Sequence, residues 1–224
     1  YFLKGSGESR TWRKIVDIYL CFAWLVVSGA MFAAFRAIFA DIEGFPAPLG
    51  CWLAAALCFV TCAGEEKGLS MMNLAAVPLI IAIIAAVALR VPKAVPAVSG
   101  ETGWILDSFL YASCNTMLAS GVLIITGEGL SAKEKSAAAL LGVAIVTGLL
   151  LLVFRLSSAF GGAELPMLEA ANAAGLRLLY SLVLDLGIFT TLCGCVCSVK
   201  NYFNKFEFLR SGLLSKLLLC AIIA

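Results

Sequence analysis

Tyr111-Ala112-Ser113-Cys114-Asn115-Thr116 is a polar, small-residue interruption in the middle of a segment, Trp104 to Thr126, that is otherwise apolar enough to cross a bilayer. Such a waist is costly. Within hydrocarbon every side-chain donor or acceptor must find a partner or face water, so residues of this kind turn into a bundle and often line a solute path. The stretch marks both the class of fold and the first place to look for function.

The rest of the chain has the same solvent in view. Hydrophobic residues make up 62% and charged residues 13%, with a mean hydropathy of +1.02, a composition that belongs to an all-α, polytopic transmembrane helical bundle. The net charge is only +2, and the basic residues fall in short segments between apolar runs, so nucleic acid is not implied and membrane topology explains them. Histidine is absent, which removes His-ligated metal sites, Ser-His catalysis and His proton relays. Nearly all of the nine cysteines sit inside apolar spans and read as small packing residues. Cys193, Cys195 and Cys197 alternate by two, which scatters successive thiols by about 200° around a helix and gives no converging ligand set. No metal and no cofactor is expected, and with no nucleophile motif the chain does not read as an enzyme.

In order, the spans expected are 15–40, 47–63, 70–89, 104–126, 137–154 and 176–198, with a seventh begun at 213–224 and a short surface helix at 165–173, all in a single transmembrane domain. Gly29 is expected to let a neighbouring helix approach the first span closely, and Ser28 beside it reads as packing. Pro46 and Pro48 favour a break before the second span, on which Cys51, Cys58 and Cys62 share a face. Gly64 to Gly68 reads as a polar turn, Pro78 is available to kink the third span, and the Leu-rich fifth span suits lipid. Leu165 to Ala173, with Pro at its first turn and Gly175 as its stop, is too short to span and is placed at a membrane surface, where it covers an opening. The chain starts at Tyr1 without Met and stops inside an apolar run of about 18 Å, short of the about 20 residues a span needs, so a fragment of a longer protein is expected. Lysine and arginine number eleven on the side of the chain start and five on the other, counting Lys200, Lys205, Arg210 and Lys216 in the link after the sixth span. That bias puts the chain start in the cytoplasm and the short helix outside.

At Tyr111-Ala112-Ser113-Cys114-Asn115, Leu165-Pro166-Met167-Leu168 and Ile188-Phe189-Thr190-Thr191, in this order and spacing, the sequence resembles the YkvI family of bacterial membrane proteins. That family is similar to the amino acid–polyamine–organocation transporters, with a LeuT-type fold of two inverted five-helix repeats, and the resemblance covers roughly Ile15 to Phe206. It implies a partial LeuT-type fold in the bacterial cytoplasmic membrane: the third through eighth core helices and the start of the ninth, without the first two. It also implies that 104–126 is a discontinuous helix with the waist at its break, where half-helix ends suit a small zwitterionic or anionic solute. Thr190 and Thr191 then correspond to a hydroxyl pair that contributes to a cation site in sodium-coupled members.

Tyr111, Ser113, Asn115 and Thr116 are therefore the candidate substrate-binding residues, set against the alternative of ordinary interhelical hydrogen bonds. Asp107, nearer the end of the same span, reads as wet. Thr190 and Thr191 are candidate cation ligands, or else bond backward to their own helix. Asp185 lies deep in the sixth span, on the side away from Tyr180, Gly187, Thr191, Gly194 and Ser198. It either pairs with a base such as Arg36 or Arg177 or serves a separate proton pathway. The function expected is secondary transport of amino acids or related small solutes, coupled to Na+ or H+, by alternating access around a midplane site. A non-transporting solute sensor of the same fold, or a structural membrane protein, is the alternative; the partners expected are the solute and the lipid bilayer, with the oligomeric state open.

Overall fold

A computed structural model describes residues 10–42, 44–91, 104–127, 130–160 and 163–203. Most of those residues are helical, with no strand among them. The helices are α1 (Arg10–Ala37), running into a π-helical turn at Ile38–Ile42, α2 (Ala47–Ala63), α3 (Glu65–Arg90), α4 (Trp104–Gly127), α5 (Ala132–Ser158), α6 (Pro166–Ala173) and α7 (Arg177–Phe203). Among the described residues four helices are long and apolar enough to cross a membrane: Lys14–Ala40, Lys67–Arg90, Ala132–Ser158 and Arg177–Tyr202. Helix α4 has 24 residues, about 36 Å of length, and α2 is a shorter apolar helix of 17. The chain is an all-α, polytopic helical bundle. The expected start of a seventh span, 213–224, lies outside the described residues, as do Lys205, Arg210 and Lys216.

The chain divides into two compact units, residues 1–73, 105–128 and 188–224 in the first and 74–104 and 129–187 in the second. The first unit is cored by one stripe of α1 (Leu20, Cys21, Trp24, Phe32, Phe35), one of α2 (Ala54, Cys58, Cys62), Leu69 of α3, and Phe189 to Val199 of α7. The α1 and α2 stripes repeat every three or four residues, the spacing that gathers side chains on one helix face. From Leu192 to Lys200 every residue of α7 is buried, so this half of the helix is enclosed all round. Ser28 is fully buried within the α1 stripe and donates to the Trp24 carbonyl at 2.7 Å. Gly29 is not a contact point: it is exposed, and a Cβ there meets nothing within 4 Å. At about 100° beyond Ser28 it falls off the stripe that packs.

The two corners of this unit are tight. After the π turn, Phe45 N–H donates to the Phe39 carbonyl at 2.9 Å, Gly44 turns the chain at φ +73°, and the Phe39 and Phe45 rings sit 5.4 Å apart. The joint between α2 and α3 is a single residue, Gly64, where a polar turn of five was expected. Helix α3 begins at Glu65 because Gly68 has no Cβ to strike the Thr61 carbonyl oxygen, which its backbone lies directly against.

In the second unit α6 packs on α5. Helix α6 buries Met167, Leu168, Ala170 and Ala171 and exposes Glu169 and Asn172. Its end is a Schellman arrangement: Gly175 at φ +69°, its N–H on the Asn172 carbonyl (2.9 Å) and the Leu176 N–H on the Ala171 carbonyl (2.8 Å). Helix α5 is exposed along nearly its whole length, and Ser131 and Glu134 close a reciprocal capping box at its start.

Candidate functional site

Helix α4 runs unbroken through the waist, in contrast to the discontinuity that the resemblance implies. The polar side chains themselves explain the continuity. Ser113 Oγ donates to the Phe109 carbonyl, Asn115 Nδ2 to the Tyr111 carbonyl and Thr116 Oγ1 to the Ala112 carbonyl, each at 2.8 Å and each four residues back. Back-bonds of this type satisfy a donor without interrupting the helix. Ser120 Oγ likewise donates to the Met117 carbonyl.

A continuous helix also decides which of these residues share a face. At about 100° per residue, Ser113, Thr116 and Ser120 form one stripe, whereas Tyr111 and Asn115 form another about 160–200° away from Ser113. The waist is thus two polar stripes on opposite sides of α4. Every residue from Ile105 to Thr116 is exposed, Tyr111 at 66%. Below the waist Met117, Leu118 and Val122 pack on the core of the first unit, and Val122 meets α7 at Gly194, where a Cβ would lie 2.9 Å from Val122 Cγ2.

Thr190 and Thr191 precede that crossing by about one turn of α7 and are half-buried. Asp185 is 8% exposed and lies in the second unit; the Arg36 and Arg177 side chains are exposed.

A second cluster was not anticipated. Lys200, counted from the sequence among the charges of the link after 176–198, is instead in the last turn of α7, buried at 8%. Its stem packs in the apolar end of the bundle and its Nζ donates to the Cys62 carbonyl at 3.0 Å, in the last turn of α2. An ammonium at a helix C-terminus meets both an orphan carbonyl and the negative end of the dipole. Cys62 Sγ lies 3.0 Å from Cys197 Sγ. Tyr202 packs against the core of the first unit. The ends of α2 and α7 therefore meet on one side of the first unit. The sequence signal was faint: a lysine three residues after a cysteine, continuing an apolar helix, whose partner carbonyl is 138 residues away. No three Cys, Asp or Glu side chains among the described residues are grouped to hold a metal ion.

No family model matches the chain, and no solved structure matches it. Over 218 residues it is 24% identical to the uncharacterized membrane protein YkvI of Bacillus subtilis (strain 168), a similarity that takes in 92% of this chain. The chain spans 62% of that relative's length. Similarity to a membrane protein, joined to four apolar helices of crossing length, makes this chain an integral membrane protein.

Proposed function

We propose that the chain is part of a secondary transporter that moves amino acids or related small solutes across the bacterial cytoplasmic membrane by ion-coupled alternating access, with the chain start in the cytoplasm. The observation that carries this reading is the exposed polar belt halfway along α4, at a depth where lipid offers no hydrogen bonds. With their donors committed to α4 carbonyls, Ser113 and Thr116 turn lone pairs outward, which suit an ammonium; Asn115 retains one N–H and its Oδ1, which suit a carboxylate and an ammonium respectively. No charged side chain lies between Asp107 and the end of α4, so a solute of zero net charge fits best, as a zwitterionic amino acid is. Tyr111, on the Asn115 stripe, adds a wall and a phenol.

Thr190 and Thr191 supply the hard oxygens that a sodium ion takes, and Asp185 is the carboxyl in position to carry a proton. One bundle rocks against another around the midplane site, and α6 serves as the outer lid. This role is binding and translocation, with no chemical conversion of the solute. A second reading is favoured by one observation: the back-bonds of α4 already take up the Ser113 and Thr116 hydroxyls and one Asn115 N–H, so the belt also suits a solute sensor, or a structural membrane protein, that moves nothing.

Radiolabelled amino acid uptake into proteoliposomes holding the full-length protein, with sodium or proton gradients imposed and withheld, separates these. Gradient-dependent accumulation is the expected result and names the ion. Saturable binding without accumulation would leave the sensor, and neither would overturn the solute site altogether.

A further inference from the structure

The end of the bundle where α2 and α7 meet holds two sulfurs closer than non-bonded atoms pack. Cys62 Sγ and Cys197 Sγ are 3.0 Å apart, inside even the about 3.5–4.0 Å at which smaller carbon atoms rest. They come from helix positions 135 residues apart in sequence, and their side chains are 5% and 6% exposed. The approach is held from both sides: Lys200, one turn beyond Cys197, is fastened to the backbone carbonyl of Cys62 itself, so the ends of α2 and α7 are pinned at the level of the thiols. A disulfide needs its sulfurs at about 2.05 Å, about 1 Å nearer than they stand.

We infer that Cys62 and Cys197 are a redox modification site, which hydrogen peroxide converts to a disulfide joining α2 to α7. One thiol loses its proton and its sulfur attacks the peroxide O–O bond, giving a sulfenic acid and releasing hydroxide, which takes up the proton as water. The second sulfur then attacks the sulfenic sulfur, forming the S–S bond and expelling hydroxide, which leaves as water with the second proton. Two thiols and one peroxide give one disulfide and two waters, and two electrons pass from the sulfurs to the peroxide oxygens. Peroxide is little larger than water, which suits a buried pair, and the partner thiol stands ready to trap the sulfenic acid before further oxidation. The bond is a staple across the end of the first unit, reversed by thiol reductants.

The test uses the full-length protein in proteoliposomes, treated with hydrogen peroxide, blocked with N-ethylmaleimide, digested without reductant and read by mass spectrometry. The expected product is a peptide pair joined through Cys62 and Cys197, lost on dithiothreitol treatment, absent in Cys197→Ala and retained in Cys58→Ser. In Cys197→Ala, dimedone should trap the sulfenic acid on Cys62. Exposed Cys114 reports that the oxidant was delivered. Recovery of Cys62 and Cys197 as maleimide adducts while Cys114 is oxidised would overturn the proposal, as would a bridge from Cys62 to any other cysteine. Both readings come from wild-type protein and do not depend on a variant folding.

Discussion

Replacing Gly68 by alanine adds one methyl group where the first unit has no room for it. The new Cβ would overlap the Thr61 carbonyl oxygen and stand 3.3 Å from the carbonyl carbon. These are backbone atoms of the last turn of α2, and the Thr61 carbonyl is itself held by the Gly64 N–H at 3.2 Å, so no flexible side chain can swing aside. Against this, alanine in a helix is favoured over glycine by up to about 1 kcal/mol. Relief of the overlap by opening the corner costs about 1–3 kcal/mol, so Gly68→Ala should be destabilising by about 0–2 kcal/mol. Gly148, inside α5, supplies the control, because nothing lies within 4 Å of a Cβ there and only the favourable term remains. The two variants should thus differ by about 1–3 kcal/mol, at about 2–4 °C of melting temperature per kcal/mol for a chain of this size. Tryptophan fluorescence melts of the purified protein in detergent would measure the gap. If Gly68→Ala melts level with or above Gly148→Ala, the α2–α3 joint is not as close as described and the geometry that holds Cys62 against Lys200 loses its support.

Asn115→Ala should leave the melting temperature within about 0.5 kcal/mol of wild type, since the exposed amide bonds only its own helix and alanine is the better helix former. On the proposed transport reading the same variant should weaken amino acid binding by about tenfold, or about 1.4 kcal/mol, in a direct binding assay, and unchanged affinity would remove Asn115 from the proposed site. Gly194→Ile should cost about 1–3 kcal/mol in the same melts by forcing α4 off α7 at Val122, whereas a melt equal to wild type would mean that the crossing is loose. Ser131→Ala breaks the capping box at the exposed start of α5 and should cost about 1 kcal/mol, read by the same melts, with Ser131→Thr expected to restore most of it.

The helical class was legible because membrane solvent leaves few choices: apolar runs of span length must be helices when water is absent. The short α6 was legible for local reasons too, since Pro166 and Gly175 mark its ends by their backbone limits and need no tertiary partner. The faces were harder. Gly29 and Ser28 are neighbours in sequence, yet one is exposed and the other fully buried, a difference set by the azimuth of the α1 stripe. The waist read as one site because its residues are contiguous, but in a continuous helix contiguous residues point apart, and only the observed course of α4 separates Asn115 from Ser113 and Thr116. Lys200 and the Cys62–Cys197 contact were invisible because each depends on a partner more than a hundred residues distant, and no local pattern encodes that approach.

The one-residue joint at Gly64 also bears on how the chain enters the bilayer. Helix α2 is about 26 Å long, at the short end of what crosses the hydrocarbon, while α3 is about 39 Å. With no slack between them, the insertion machinery has no loop at which to release the first before taking the second. The two helices are therefore expected to be handed to the bilayer together, and any tag or reporter spliced at the joint would divide them before they reached it.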